Sequence, residues 1–552
     1  MPRFSSVIVV GILGAYVVLA AANIERPGLE ADEALHAAAA IRLLQPDLGS
    51  RIWVNTTSRV AGRDLPVMIM PYLGAVKSYM LAAAFLLFGS SVSTLRLTMI
   101  AVGAAAIAFT YLLARRGWGS VCALITTAAL ATDPSFVLMT RADWGPVALP
   151  ALFRTGALYA IIVWAQERKR IHLGIAGLLL GLGVYDKSNF LWFVLALIAV
   201  GLGARLLGRL RLSCRELLLV CGTFLAGASP LLWWNATHNW QTITVAREGI
   251  QMGLGQGPSL GAALLGELSA RMLSLWSMLA GRGLDVFMFG ASVAPWVGSY
   301  SETLFLPVLA VSVLLVGLFF RGPRMLHPLD WPTILFPAAM AVLLLAQMLI
   351  TPLTIWYHHL IFLYPFPQLF IGVVLSHTIV GFRPGAWRAI LRPVAGLAAI
   401  LLILGNGAVT WRYQQLMARS PGSPVWSTGI YSLNDLLMTH YRQEKIKLLD
   451  WGMYYPLLLL SDGQLQVDEL WGWLEGPDAR PFLESELQAS CAIFVLSAPG
   501  TEVMKDPGQA FLAAASASGR QSLIQRLVED DAGRPRYMLM DFEECPQDPL
   551  AH

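Results

Sequence analysis

The sequence predicts a mainly α, polytopic helical membrane protein of about eleven spans. Juxtamembrane helices are expected in its first outer loop, and an α/β domain outside the membrane at its C-terminal end. Three observations carry this. Of 552 residues, 56% are hydrophobic and only 13% charged, against roughly 25% charge in a soluble protein. Apolar runs approaching the ~20 residues needed to cross a bilayer recur up to residue 409. After residue 410 the charge density rises and the apolar runs shrink to strand length. The net charge of +4 gives no sign of a nucleic-acid partner; the positions of the charges say more.

The first run, 6–22, follows Arg3 and reads as a retained first helix, because a multispanning chain needs no separate export signal. Further runs lie at 94–114, 119–133, 147–165, 172–186, 189–206, 215–234, 303–320, 331–350, 359–380 and 389–409. Between them stand Arg115-Arg116, Arg168-Lys169-Arg170, Arg205/Arg209/Arg211, Arg321/Arg324 and Arg383/Arg388/Arg392. Lys and Arg favour the cytoplasmic side, so these five loops are expected inside. One more apolar stretch, 72–88, would invert the topology if it crossed. It holds Lys77 and follows Pro66 and Pro71, so it reads as an interfacial or re-entrant helix. The outer face then receives segments 23–93, 135–146, 185–189, 235–302 and 351–358, and the whole tail.

Two domains follow: a transmembrane one over 1–410 and a soluble α/β one over 411–552, with a Pro/Gly/Ser-rich linker at 418–424. Within the tail, 447–451, 492–497 and 537–542 read as strands, and 431–442, 481–488 and 509–517 as helices. Cys122, Cys214 and Cys221 lie in or near spans and read as small core residues. Cys491 starts one expected strand and Cys545 follows another. An antiparallel pairing would make them a disulfide candidate in an oxidising exterior.

The chemistry gathers in the outer segments. Asp32 and Glu33 stand side by side in the first loop, before an Ala-rich helix expected to run to Leu44. Asp32 suits the N-cap of that helix, and an acidic helix start complements the dipole. The alternative is a catalytic role. Asp143, at the mouth of the span after Pro146, likewise reads as a cap or as a second carboxylate facing Asp32/Glu33. Lys77 and Lys187 can snorkel to headgroups. Fixed cations on an outer face also suit a lipid phosphate. Tyr357-His358-His359 stands at another outer boundary; adjacent histidines on a helix point apart, so a shared metal is not expected. Arg247 is a weaker cation of the same kind. A carboxylate can take a proton from an acceptor hydroxyl, and cations can stabilise a phosphate leaving group. The set suggests transfer from a lipid-linked phosphate sugar.

The acidic stretch Leu29-Glu30-Ala31-Asp32-Glu33-Ala34 resembles the first outer loop of the GT-C superfamily of integral membrane glycosyltransferases. The pattern is similar to protein O-mannosyltransferases and to the bacterial aminoarabinose transferase of lipid A. Further pieces resemble that family in order: 71–89 followed by Leu95-Arg96-Leu97, then Thr140-Arg141-Ala142-Asp143, then Gly181-Leu182-Gly183-Val184-Tyr185-Asp186-Lys187, then His358-His359 through Leu363-Tyr364-Pro365. The resemblance covers about residues 1–410. It implies a polyprenyl-phosphate-linked sugar donor, inversion at the sugar carbon, and a lipid, glycan or protein acceptor. It implies Asp32 as general base with Glu33 orienting groups beside it, and Asp143 shaping the acceptor or sugar site. Lys77, Lys187 and the Tyr357-His358-His359 region would hold the donor phosphate, with Arg247 as an outlying candidate. It also implies a bacterial inner membrane with the site on the periplasmic side. Members of this kind often work without a metal, and no Asp-x-Asp pair argues for one, so a divalent cation is possible but not favoured and no other cofactor is expected.

A second class is a transporter or flippase of lipid-linked sugars, and a third a glycan ligase or polymerase. Transporters place charges in the middle of spans, whereas the candidates here sit in outer segments and at span ends. A ligase or polymerase differs in moving a preassembled chain.

Overall fold

In the first third of the chain, α1 (Pro2–Ala21) leads into α2 (Ala31–Leu44), then α3 (Val76–Phe88), α4 (Val92–Trp118), α5 (Ser120–Thr132), α6 (Pro134–Ala142), α7 (Ala148–Glu167) and α8 (Arg170–Asp186). The middle third continues with α9 (Leu191–Leu206), α10 (Cys214–Thr237), α11 (Gln241–Gly255), α12 (Leu260–Leu279), α13 (Leu284–Phe289), α14 (Phe305–Arg321), α15 (Trp331–Ile350), the single turn α16 (Tyr357–Leu360), α17 (Phe366–Val380) and the long α18 (Ala386–Arg419). This computed structural model describes residues 2–48, 56–60, 62–255, 260–290, 302–321, 331–351, 355–381, 386–474, 479–489, 492–504, 507–518 and 523–542. Among the described residues six helices are long and apolar enough to cross a membrane, seven if α5 and α6 form one span broken by a 60° bend. Shorter apolar helices include Ser6–Ala21, Phe305–Leu318 and Ile334–Ile350, all at expected runs.

Several expectations change. Segment 135–146 is not an outer loop for most of its length: α6 occupies it, with Asp133 as N-cap accepting from the Phe136 N–H at 3.0 Å and Pro134 in the first turn. A proline there suits a helix start, where its missing N–H is no loss. The stretch 72–88 divides, because the helix begins only at Val76. Before it, the first loop folds an antiparallel sheet of β1 (Thr56–Val60), β2 (Arg63–Met70) and β3 (Leu73–Gly74). Pro66 sits in the central strand β2 opposite Thr57, where the register shifts beside Thr56; such a bulge is where a strand tolerates a proline. The hairpin tip is tied to the end of α8, since Leu73 bridges Lys187 and the Ser188 N–H donates to the Tyr72 carbonyl at 3.0 Å.

The tail adds α19 (Gly429–His440), β4 (Lys445–Leu448), α20 (Tyr454–Leu460), β5 (Gln466–Glu469), α21 (Ala479–Ala489), β6 (Ala492–Ser497), α22 (Pro507–Ala517), β7 (Leu523–Glu529) and β8 (Pro535–Phe542). Its sheet runs β5-β4-β6-β8-β7, with β5, β4 and β6 parallel and β8 antiparallel to both β6 and β7. All six residues of β6 are buried, as its unbroken apolar run requires of a central strand. The edge strands β5 and β7 and the helix α20 were not expected, and the strand expected at 447–451 lies at Lys445–Leu448. Cys491 and Cys545 lie outside the described residues.

One hydrophobic cluster joins the bundle to the tail, containing Tyr16, Leu29, Met99, Leu344, Trp426, Leu457 and Val495. Segment 418–424 is a packed joint. Ser420 and Ser423 are buried, and the Ser423 N–H donates to the Met288 carbonyl at 2.9 Å. Gly28 meets this joint backbone to backbone, its N–H donating to the Trp426 carbonyl at 2.7 Å. A Cβ on Gly28 would collide with the Ser427 carbonyl.

Candidate active site

The first turn of α2 separates two adjacent carboxylates. The N-cap is Glu30, not Asp32: its Oε2 accepts the Glu33 N–H at 3.0 Å. Asp32 is thereby released from capping. Ala31 and every residue from Glu33 to Ile41 are buried, whereas Asp32 is half-buried and makes no hydrogen bond or ion pair among the described residues. One residue on, a rotation of about 100° carries Glu33 to another face. There both its oxygens are held by Arg96, Nε to Oε1 at 2.6 Å and Nη2 to Oε2 at 2.8 Å. Arg96 also donates to the carbonyls of Ile24, Pro27 and Gly28 at 2.8, 3.1 and 3.3 Å. Buried Arg141 grips the same turn through the Asn23 and Arg26 carbonyls. Glu33 is therefore bound into the shape of the loop, and Asp32 keeps a half-buried carboxylate without a partner among the described residues.

Lys77 lies in the first turn of α3, fully buried, where the helix dipole opposes a cation. Asp143 holds it there, Nζ reaching Oδ2 at 2.9 Å and the Asp143 carbonyl at 3.0 Å. Asp143 ends α6 in the left-handed region (φ 50°), which Asp tolerates better than most residues. That turn lets its Oδ1 accept the N–H groups of Val147 and Ala148 at 2.8 and 2.7 Å. Capping and ion pairing are thus both real for Asp143.

Lys187 closes α8, its Nζ donating to the carbonyls of Gly145 at 2.7 Å and Pro146 at 3.4 Å. Burial lowers its pKa to about 7, although Asp143, Asp186 and Asp32 all act to raise it. Burial likewise raises the Asp32 carboxyl above its ordinary value, with Lys187 and then Lys77 pulling it back. The two lysines and Asp32 therefore share one electrostatic environment. Burial, Lys77 and Lys187 also push His36 well below the usual imidazole value.

Contrary to expectation, His358 and His359 do not point apart. Their ring centroids lie 4.1 Å from each other, because α16 is a single turn that tightens at once into a 3-10 turn, Ile361–Leu363. The His358 ring packs on Gly145, which has a positive φ of 59° and no room for a side chain on that face. The His359 Nδ1 accepts the Trp356 N–H at 3.1 Å, while the His358 Nδ1 is buried without a partner. Tyr357 turns toward Gly283 and away from this group. Arg247 is exposed on α11. The structure thus gathers Asp32, Lys77, Asp143, Lys187 and His358-His359, and leaves Glu33, Tyr357 and Arg247 aside.

Sequence reasoning missed four groups. Asp186 ends α8 with both carboxylate oxygens buried and without hydrogen bonds. The only signal was its place before Lys187. His36, whose Nδ1 lies 3.1 Å from the Ser78 Oγ, keeps a buried Nε2 without a partner. Arg154 stacks 4.7 Å over the Phe362 ring, which Lys187 approaches at 5.8 Å, and its Nε and Nη1 have no partners. Tyr455 comes from the tail, far away in sequence. Among the described residues no group of three or more His, Cys, Asp or Glu side chains is arranged to hold a metal ion.

Residues 74–234 match the family described as dolichyl-phosphate-mannose-protein mannosyltransferase. No curated protein matches the sequence at a significant level. In fold the chain is similar to the crystal structure of ArnT from Cupriavidus metallidurans bound to undecaprenyl phosphate, with a TM-score of 0.58 and 14% identity, covering 98% of this chain and 99% of that one. It is also similar to the Archaeoglobus fulgidus oligosaccharyltransferase in its apo form, with a TM-score of 0.52 and 13% identity, covering 89% of this chain and 69% of that one. The chain therefore carries the fold of the GT-C integral membrane glycosyltransferases and resembles that superfamily.

Proposed function

We propose that the protein is a membrane glycosyltransferase that moves one sugar from a polyprenyl-phosphate donor to an acceptor hydroxyl on a lipid, glycan or protein. The observation that carries this is Asp32, the one residue of 31–41 in α2 that is not buried, set without a partner beside Lys77 and Lys187. The acceptor oxygen attacks the anomeric carbon from the side opposite the phosphate, so the configuration inverts. The sugar–oxygen bond breaks and its electron pair leaves with polyprenyl phosphate. The acceptor proton passes to Asp32 as general base. Lys187, with the His358-His359 pair, stabilises the charge gathering on the departing phosphate. Lys77, engaged by Asp143, fixes the Asp143 turn that carries Gly145 and Pro146, the acceptors of Lys187. The basic loops favour an orientation with this site outside the membrane, and the likeness to the Cupriavidus metallidurans protein favours a bacterial inner membrane, with the site on its periplasmic side. The division of labour is residues 1–410 for donor chemistry and 411–552 for the periplasmic domain.

The test supplies purified protein in detergent with a panel of radiolabelled polyprenyl-phosphate sugars and crude envelope extract as acceptor. Release of free polyprenyl phosphate by wild type and none by Asp32→Asn is the expected result. Binding without release across the panel would replace the enzyme by a transporter, and no binding would overturn the reading.

A further inference from the structure

The carboxyl edge of the tail's parallel strands abuts the helix that carries Asp32. After β4 the chain turns through Asp450–Met453 into α20. Fully buried Asp450 ties that turn to the segment after β6, accepting the N–H groups of Val503 at 3.1 Å and Met504 at 3.0 Å. From this braced rim Tyr455 packs against the cluster that Leu35 and Ala39 of α2 form with Ile69, Leu73 and Ala75 of the first loop. Leu35 and Ala39 follow Asp32 by three and seven residues, so Tyr455 lies along the face that presents Asp32. Glu469 ends β5, paired in register with Leu448 of β4, and Trp471 follows it. Tyr72 stands at the hairpin tip, 40% exposed and next in sequence to Leu73 of the same cluster. Among the described residues neither the Tyr72 nor the Tyr455 hydroxyl has a hydrogen-bond partner, although both lie within the field of Asp32.

We propose that Tyr455 and Glu469, together with Tyr72, form an acceptor subsite to which the tail contributes, and that its ligand is a carbohydrate. A sugar ring offers several hydroxyls around the one that reacts. Two free phenols and a carboxyl can hold those neighbours while Asp32 takes the proton from the central one. The phenol rings and the Trp471 indole supply flat apolar surface for the ring's C–H face. Burial raises the Glu469 carboxyl to about 7, against the pull of the Trp471 and Gly452 N–H groups. Near neutral pH it therefore offers both a donor and an acceptor. A peptide acceptor would most simply add a strand to the open edge of β5, but that strand has four residues and carries exposed Asp468, features that blunt strand addition.

This inference rests on the glycosyltransferase reading, but its test reads binding directly. Saturation-transfer NMR on the full chain in detergent uses a glucosamine disaccharide, mannobiose and a Ser/Thr-rich peptide as probes. Expected is saturation of at least one saccharide, reduced about fivefold or more by Tyr455→Phe and by Glu469→Gln, as loss of paired polar groups requires. Asp468→Asn, on the opposite face of the same strand, leaves the signal as in wild type. Melting curves confirm that each variant is folded. Where a transfer assay runs, Tyr455→Phe raises the KM for the acceptor and not for the donor. Saccharide signals that ignore both substitutions, or a peptide signal with no saccharide signal, overturn the proposal. Failure of donor cleavage with saccharide binding intact would instead overturn the transferase reading alone.

Discussion

Asp32 and Glu33 are neighbours of identical charge type on one helix turn, yet they belong to opposite kinds of environment. Glu33 lies in a region of mutual engagement: Arg96 takes both its oxygens and three loop carbonyls besides, and Arg141 grips the next carbonyls along. Around Asp32 the groups are left over: the two oxygens of Asp186, the Nε2 of His36 and the Nδ1 of His358 are buried without hydrogen bonds. Lys77 at a helix start and Asp186 at a helix end also oppose their dipoles. A fold satisfies most of its buried polar groups where only shape is at stake. It leaves them unmatched where something else is to be bound.

Substitutions on the two sides should therefore fail differently. The largest effect is expected at Asp32→Asn, with donor cleavage falling about 10²–10⁴-fold, the span of a general base, while the melting temperature holds. An equal loss of melting temperature and activity would place Asp32 with its neighbour. Glu33→Gln should do the reverse. Breaking one half of a buried pair costs about 3–5 kcal/mol, readable as a thermal shift in detergent, and activity per folded molecule survives.

Lys187 supplies a pH test. Its pKa near 7 means the cation is present below that value and lost above it. The kcat/KM for donor should then fall as pH rises through about 7, and Lys187→Arg, always charged, should move that limb upward. A profile unchanged by Lys187→Arg rejects the phosphate role. Gly28→Ala forces a side chain into the Ser427 carbonyl and should cost about 1–3 kcal/mol, seen as a thermal shift and faster proteolysis of the tail. The smallest effect is expected at Arg247→Ala, exposed on α11, within about 0.5 kcal/mol in stability and with donor KM unchanged.

The expected apolar runs form helices because burial in a bundle follows hydrophobicity over long stretches, and the end of α2 at Leu44 was legible in the same way. Local chemistry misled where a less favoured residue type took a role. Glu30 caps α2 although Asp32 is the better capping type, and Pro66 enters a central strand beside a register shift. The Asp133-Pro134 pair was a readable helix start, hidden by reading the segment as a loop. Edge strands β5 and β7 carry too little apolar signal to stand out. The meeting of Tyr455 with α2, and of His358 with Gly145, joins distant parts of the chain and leaves no trace in spacing.

The contact of Gly28 with residues 426–427 has a consequence for traffic. The first loop and the tail meet there backbone to backbone, with no room for a side chain between them, a contact that ties the tail to the loop bearing Asp32. Under the proposed function, a bulky lipid donor then reaches Asp32 sideways through the bundle, while the acceptor comes in over the rim of the tail. A shortened chain ending at residue 410 would lose this contact and the packing of Tyr455 beside α2, so the tail belongs to the walls around Asp32 and is no detachable appendage.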